Sequence, residues 1–173
     1  SGVSQSNGLD IELRLKNGSS TEVFGWVRYV MPNSDASTKN VQRGAVFYAI
    51  NGIPLNTNNY RSLLANTSYT LNFADFDNGN ITPNGNSISF TKASYAENSF
   101  FLSNVYNEST KKVGYLVYNG FYSAYENNLN TVFSNFQSQN ITHLILDLRY
   151  NSGGSINTAT RLASMITGQF GNQ

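Results

Sequence analysis

The sequence predicts a mixed α+β chain of two domains, in which a β-rich first half precedes an α/β unit with strand–helix–strand–helix order. Short runs that alternate apolar and polar residues, such as Leu9–Leu15, indicate half-buried strands, and Asn-Gly pairs mark the turns between them. Residues 123–139 and 155–166 instead carry apolar side chains every three or four positions, which indicates one face of a helix. We therefore predict a β-rich domain at residues 1–92 and a partial βαβα core at residues 93–173.

Five strands and one short helix are predicted in the first domain. They cover Leu9–Leu15, 21–30, Val46–Ile50, Tyr60–Ala65 (the helix), 69–74 and 87–91. Residues 77–80 and 83–86 carry Asn, Gly and Pro and are predicted as loops. Asp75 and Asp77 resemble part of a calcium loop, but the bidentate Glu of such loops is missing, which favours a polar hairpin.

The second domain has the order of a parallel crossover unit. Predicted strands at 112–118 and 141–146 alternate with the helices at 123–139 and 155–166. Residues 97–110 are predicted as a lead-in segment. Two consecutive strands joined by a helix in this way are expected to be parallel and right-handed.

Composition excludes several classes of function. A net charge of +1 with 12% charged residues gives no strong attraction to nucleic acid. The chain has no cysteine and one histidine, so disulfides, thiolate catalysis and multi-histidine metal sites are excluded, and we expect no metal and no cofactor. No apolar run is long enough to span a membrane. The Asn- and Tyr-rich composition favours an exported bacterial protein, in the periplasm or associated with the cell envelope.

The most informative segment is Asp-Leu-Arg-Tyr-Asn-Ser-Gly-Gly at residues 147–154. An apolar run leads into it and a helical pattern follows it, so we predict a buried strand, a tight glycine turn and a helix start. Gly153 and Gly154 have no Cβ, and their main-chain N–H groups are therefore able to face a bound anion or oxyanion. A plain sharp turn and a phosphate cradle are the alternatives, although the Walker pattern is absent.

Side chains around this turn are predicted to have structural roles. His143 and Asp147 share a strand face but lie roughly 13 Å apart, too far for a catalytic pair. Asp147 and Arg149 are expected to order the turn through hydrogen bonds. Asn151 and Ser155 are expected to be turn or helix-cap residues.

Two segments resemble known families. Residues 30–36 followed by 41–55, with a proline after a strand, an Arg43-Gly44 turn and Asn51-Gly52, resemble a bacterial PDZ domain. Residues 114–121 and 144–154 resemble the first strand and the glycine turn of the core of C-terminal processing serine peptidases, also called tail-specific or tricorn-core peptidases. A PDZ domain ahead of this core is the arrangement of that family.

The resemblance implies roles for particular residues. Gly153 N–H, with Gly154 as its neighbour, corresponds to the oxyanion hole of the family. The peptide-binding loop that holds a substrate's terminal carboxylate corresponds to Gly8, Leu9, Asp10 and Ile11. The family's nucleophilic serine and its lysine base have no matching segment here, so we expect residues 1–173 alone to be an inactive fragment of a serine endopeptidase.

A second hypothesis is a non-catalytic module that binds peptide tails and uses its α/β half as a scaffold. Under either hypothesis the expected partners are peptide or protein C-termini, with no nucleic acid. If further strands are needed to complete the sheet, the strand at 141–146 has an open edge, and we expect self-association through it.

Overall fold

The computed structural model describes residues 3–96 and 98–168, which form two compact units that divide between Tyr95 and Ala96. The first unit is β-rich and has one short helix. Its elements are β1 (Val3–Ser6), β2 (Leu9–Leu15), β3 (Val23–Val30), β4 (Val46–Ile50), β5 (Ile53–Pro54), α1 (Tyr60–Ala65), β6 (Ser68–Asp77), β7 (Asn80–Thr91) and β8 (Ala93–Ala96).

The main sheet of the first unit has the strand order β2-β3-β4-β6-β7, with β5 paired to β4. All of these neighbours are antiparallel. Along β3 the burial alternates at every residue, because successive side chains of a strand point to opposite faces of the sheet. The inward side chains join a core that includes Val27, Phe47, Ile50, Leu71 and Phe90.

The loop predicted at residues 83–86 is wrong, since these residues lie inside β7. The pairing of β7 with β6 jumps from Asn72 and Ser87 to Ala74 and Pro83, so residues 84–86 stand opposite Phe73. The extra residues form a bulge, with Gly85 at φ +79°. The turn-forming residues therefore mark an irregularity within one strand. The polar hairpin predicted near Asp77 is confirmed, because Asp77 pairs with Asn80.

The second unit is a small α/β layer. Its elements are β9 (Phe100–Glu108), β10 (Lys111–Tyr118), α2 (Glu126–Ser138), β11 (His143–Asp147) and α3 (Ile156–Thr167). The sheet order is β11-β10-β9, in which β10 is parallel to β11 and antiparallel to β9. The predicted parallel strand pair joined by a helix is confirmed. Strand β9 lies in the segment for which only a lead-in was predicted.

The helices of the second unit pack one face onto the sheet. Leu129 and Phe136 of α2 and Leu162 of α3 are at most 2% exposed and surround Leu116 of β10. Burying such a side chain contributes about 1.5–3 kcal/mol. These residues fix the ends of β10 and β11, where the glycine turn begins. Among the described residues, no helix is both long and apolar enough to cross a membrane.

Candidate active site

The glycine turn lies at the carboxyl end of the parallel strand pair. Past the end of β10, Phe121 forms a parallel bridge with Gly154. Phe121 N–H donates to Gly153 O at 2.8 Å, and Ser155 N–H donates to Phe121 O at 2.7 Å. In a parallel bridge of this pattern the N–H of Gly154 itself points away from Phe121. The turn is thus held by main-chain bonds on one side and is free on the other.

Asn151 locks the turn from within. Its side-chain Oδ1 accepts the N–H of Gly153 at 2.7 Å, and its Nδ2 donates to Tyr118 O at 2.9 Å. The Asn151 N–H donates to Leu148 O at 2.9 Å. The prediction that Asn151 is a turn residue acting through its side-chain oxygen is confirmed.

The two glycines are required for different reasons. A Cβ on Gly154 would lie 2.4 Å from Phe121 O and 2.8 Å from Phe121 C, and the φ of Gly154 is +136°. A Cβ on Gly153 would meet no atom within 4 Å, but φ is +92°. Gly154 is therefore needed for the close approach of two main chains, and Gly153 for its backbone conformation alone.

The two glycine N–H groups are not equivalent. The sequence gave Gly153 N–H as the oxyanion donor, yet this group already donates to Asn151. The N–H of Gly154 has no hydrogen-bond partner within residues 3–96 and 98–168, and Gly154 is exposed. The group that is free to receive an oxyanion in this structure is thus Gly154 N–H. A catalytic role for either glycine stays a prediction.

Asp147 is neutralised where β11 ends. Arg149 donates from Nε to Asp147 Oδ1 at 3.0 Å and from Nη2 to Oδ2 at 2.6 Å, and its N–H also donates to Oδ1. Tyr115 Oη donates to Asp147 Oδ2 at 2.7 Å. The Arg149 side chain, followed by the Tyr115 hydroxyl, holds the pKa of Asp147 well below its usual range. The predicted structural role of Asp147 and Arg149 is confirmed.

His143 takes no part in this cluster. It begins β11, whereas Asp147 ends it, and its ring Nδ1 hydrogen bonds the Thr142 hydroxyl at 2.9 Å. A Ser/His/Asp arrangement that uses His143 with Asp147 is therefore excluded, as the strand geometry predicted.

Helix α3 begins directly after the turn and is tied to α2. Ser155 is its N-cap and accepts the N–H of Thr158 at 3.3 Å, which confirms the predicted cap. The buried Thr158 hydroxyl donates to Glu126 Oε1 at 2.7 Å, and Arg161 Nη1 lies 3.4 Å from Glu126 Oε2. The helix N-terminus gives the turn a partial positive charge, which favours an anion beside Gly154.

Residues 112–172 match the model of peptidase family S41. The resemblance to C-terminal processing peptidases that the sequence predicts is thus confirmed, and the matched segment contains the complete glycine turn. No curated protein matches the chain.

Two solved structures are similar to the chain over both units. One is a protein of Bacteroides fragilis NCTC 9343 described as an S41 protease, with 28% identity and a TM-score of 0.68, covering 90% of this chain and 43% of that one. The other is the photosystem II D1 C-terminal processing protease, with 18% identity and a TM-score of 0.58, covering 94% of this chain and 44% of that one. The second likeness concerns the fold alone. The chain spans less than half the length of each structure.

The predicted peptide-binding residues lie outside the S41 match, at the start of β2. Gly8 has φ +87°, and a Cβ there would lie 1.9 Å from Ser34 Oγ. Gly8 N–H donates to Ser6 Oγ at 3.0 Å, and Leu9 N–H donates to Asn7 Oδ1 at 3.2 Å. The structure therefore brings these residues into one tight turn whose N–H groups are bonded to neighbouring side chains.

Strand β2 presents an unpaired edge beside this turn. It is an outer strand of its sheet in the described part of the chain, and Leu9 and Ile11 pack partly against the core. Asp10 forms an ion pair with Arg28 at 3.4 Å. A groove of about 990 Å³ elsewhere in the unit is lined by residues between 40–46, 73–76 and 84–88, and none of the predicted peptide-binding residues line it.

Sequence reasoning missed the residues that support both turns from a distance. Asn7 Nδ2 donates to Tyr69 Oη at 2.8 Å, between residues separated by 62 positions. Tyr115 and Glu126 hold the second turn in the same way. No local pattern marks such residues, because their partners meet only after the strands and helices have paired.

Proposed function

We propose that the chain is the N-terminal part of an exported serine endopeptidase. The first unit recognises the C-terminal tails of substrates as a PDZ-like domain, and the second unit supplies part of the catalytic centre. The observation that carries this proposal is the S41 match over the segment that presents the free N–H of Gly154. The nucleophilic serine and the lysine base come from residues that follow this chain in the longer protein.

In this mechanism the serine attacks the carbonyl carbon of the scissile bond, and the carbonyl oxygen takes up negative charge. The N–H of Gly154 donates to that oxygen, and the N-terminus of α3 adds a favourable potential. Removing one such donor from an oxyanion hole costs about 2.7–4 kcal/mol of transition-state stabilisation. Asp147 does not oppose the developing charge, because Arg149 neutralises it.

Tail recognition uses the edge of β2. An extended peptide adds to that edge as a further strand, and its terminal carboxylate lies at the turn that contains Gly8 and Leu9. Because the N–H groups of both residues are bonded to Ser6 and Asn7, the carboxylate replaces these side-chain acceptors when it binds.

The catalytic part is tested with the longer protein that contains residues 1–173, using cleavage of an unstructured peptide. Asn151→Asp keeps an acceptor near Gly153 N–H but places a negative charge beside Gly154. We expect kcat to fall by about 100-fold with little change in KM, because the charge opposes the oxyanion only in the transition state. Asn107→Asp makes the same change at an exposed position of β9 and is expected to retain wild-type activity. Equal activity of the two variants would exclude the oxyanion role.

The tail-binding part is tested with residues 1–173 alone. Peptides that end in a free carboxylate are compared with the same peptides ending in an amide, and with peptides N-methylated at alternate residues. We expect tight binding only for the first set, because amidation removes the carboxylate and N-methylation blocks the strand pairing. Equal binding of all three sets would contradict recognition at the β2 edge.

A non-catalytic scaffold is the alternative function, and the bond from Gly153 N–H to Asn151 is the observation that favours it. The two functions predict different results for the longer protein. The scaffold binds free-carboxylate peptides but leaves them intact, whereas the peptidase cleaves them.

A further inference from the structure

Three buried polar atoms of the second unit have no hydrogen-bond partner among the described residues. They are Ser99 Oγ, Tyr118 Oη and Asn119 Oδ1, in residues that are 0, 0 and 3% exposed. One such unpaired group lowers the ratio of folded to unfolded molecules by about 5- to 150-fold. Native proteins therefore pair nearly all of their buried polar groups with protein atoms or internal water.

The three residues lie together where β9 and β10 meet. Asn119 N–H donates to Ser99 O at 2.8 Å, which places the two main chains side by side. Burial raises the pKa of the Tyr118 phenol, the nearby Ser99 hydroxyl lowers it, and the negative charge of Glu126 raises it further. The two hydroxyls are thus neighbours, although no direct hydrogen bond joins them. The gap between them is bounded by groups that each donate and accept.

The same residues hold the glycine turn through their main chains. Tyr118 O accepts from Asn151 Nδ2 at 2.9 Å, and Asn119 O accepts from Ser152 N–H at 3.2 Å. A displacement of residues 118–119 therefore moves the turn directly. Whatever satisfies the buried atoms of these residues also sets the position of the Gly154 N–H.

We propose that internal water binds at Ser99 Oγ, Tyr118 Oη and Asn119 Oδ1 and positions the Gly153–Gly154 turn. The two hydroxyls donate and accept and the amide oxygen accepts, which is the set of partners that water satisfies. A cation is disfavoured because the three atoms are uncharged, and the described part of the chain has no group of three metal-binding His, Cys, Asp or Glu side chains. The catalytic consequence rests on the proposed function, whereas the water site does not.

The test uses residues 1–173 with Ser99→Ala, Tyr118→Phe and the double variant. A high-resolution crystal structure of the wild type is expected to show water within about 3 Å of at least two of the three atoms. Each single variant is expected to lower the ratio of folded to unfolded molecules by about 5- to 10-fold, and to accelerate exchange of the Ser152 amide by a similar factor. The double variant is expected to lose at most about 2-fold more, because the two hydroxyls share their water.

Tyr106→Phe is the matched control, since Tyr106 is 46% exposed and is expected to tolerate the change without effect. Three results would overturn the proposal: a direct bond between Ser99 and Tyr118 without water, single variants as stable as the wild type, or stability that depends on the identity of the monovalent cation. If Tyr118→Phe accelerates Ser152 exchange but leaves kcat of the longer protein unchanged, the water site stands and the catalytic role of the turn fails.

Discussion

Two glycine turns, one in each unit, use the same residue for different purposes. At Gly8 the side chain is absent because Ser34 occupies its place, and the nearby N–H groups are bonded to Ser6 and Asn7. At Gly154 the side chain is absent because the main chain of Phe121 occupies its place, and the N–H is unpaired among the described residues. A glycine turn is thus ready for an anion only where its amides have not been satisfied locally.

The largest effect is expected for Gly154→Ala. The new Cβ would meet main-chain atoms that cannot rotate away, in a backbone conformation almost confined to glycine, so the free energy of unfolding falls by more than about 3 kcal/mol. Amide exchange measured by mass spectrometry should show the loss in the second unit. Trp26, the single tryptophan, lies in the first unit, and its fluorescence should be unchanged.

Gly153→Ala is the matched control for this substitution. Its Cβ meets open space, so only the strain of a positive φ remains, at about 1–2 kcal/mol. Equal losses for the two variants would show that the approach of Phe121 does not restrict Gly154.

A smaller effect, about 2–3 kcal/mol, is expected for Gly8→Ala in the first unit. The obstacle here is the side chain of Ser34, which is able to shift, rather than a main chain. Urea unfolding followed by Trp26 fluorescence measures the loss. Adding Ser34→Gly to Gly8→Ala removes the clashing atoms and should recover part of the stability. No recovery in the double variant would mean that backbone strain alone accounts for the loss.

The third prediction compares the carboxylates with a lowered pKa, one in each unit. Bonds from Arg149 and Tyr115 lower the pKa of Asp147. Burial raises the pKa of Asp35, but bonds from Lys39 and Thr91 N–H outweigh it, so the net direction is also downward. A folded-state pKa below the unfolded value of about 3.9 stabilises the fold above that pH, and this stabilisation is lost as the pH falls through the folded-state pKa.

Asp147→Asn and Asp35→Asn should therefore lower the urea midpoint at pH 7 and approach the wild type as the pH falls below about 4. The difference should be larger for Asp147, whose pKa is lowered further. A constant difference from pH 7 to pH 2 would show that the ion pairs do not cause the destabilisation.

The smallest effect concerns the edge of β11. Ile145 is 54% exposed on this outer strand, so residues 1–173 are expected to associate weakly at high concentration. Ile145→Lys should reduce the association measured by sedimentation velocity, because a lysine on an edge strand opposes pairing. Phe76→Lys changes a similarly exposed residue in the first unit and should leave it unaltered. A wild type that sediments as a monomer at all concentrations would contradict this prediction.

The sequence predicted elements whose signals are local. The apolar face of α2, the cap at Ser155 and the turn role of Asn151 are each encoded within a few residues, and the structure confirms them. Strand β9 was missed because most of its residues are exposed, which leaves no alternating pattern. The bulge in β7 was misplaced as a loop because Asn and Gly favour irregular backbone in either setting.

The chemistry of the candidate site was harder to predict than its location. Residues 147–154 marked the turn, but the choice between the amides of Gly153 and Gly154 depends on the side-chain orientation of Asn151. That orientation is fixed by Tyr118 O, and the φ of Gly154 by the approach of Phe121. Both contacts come from the end of another strand, so nothing within the motif itself could reveal them.

The parallel pairing of β10 with β11 also affects the order of events during synthesis. The first sheet consists of antiparallel pairs, and several of its strands are neighbours in sequence, so it is able to form as soon as its residues leave the ribosome. Strand β11 reaches β10 only after α2 has been made, because a parallel pair needs a crossover. A nascent chain halted before β11 would therefore carry a folded first unit but no anion-receiving turn.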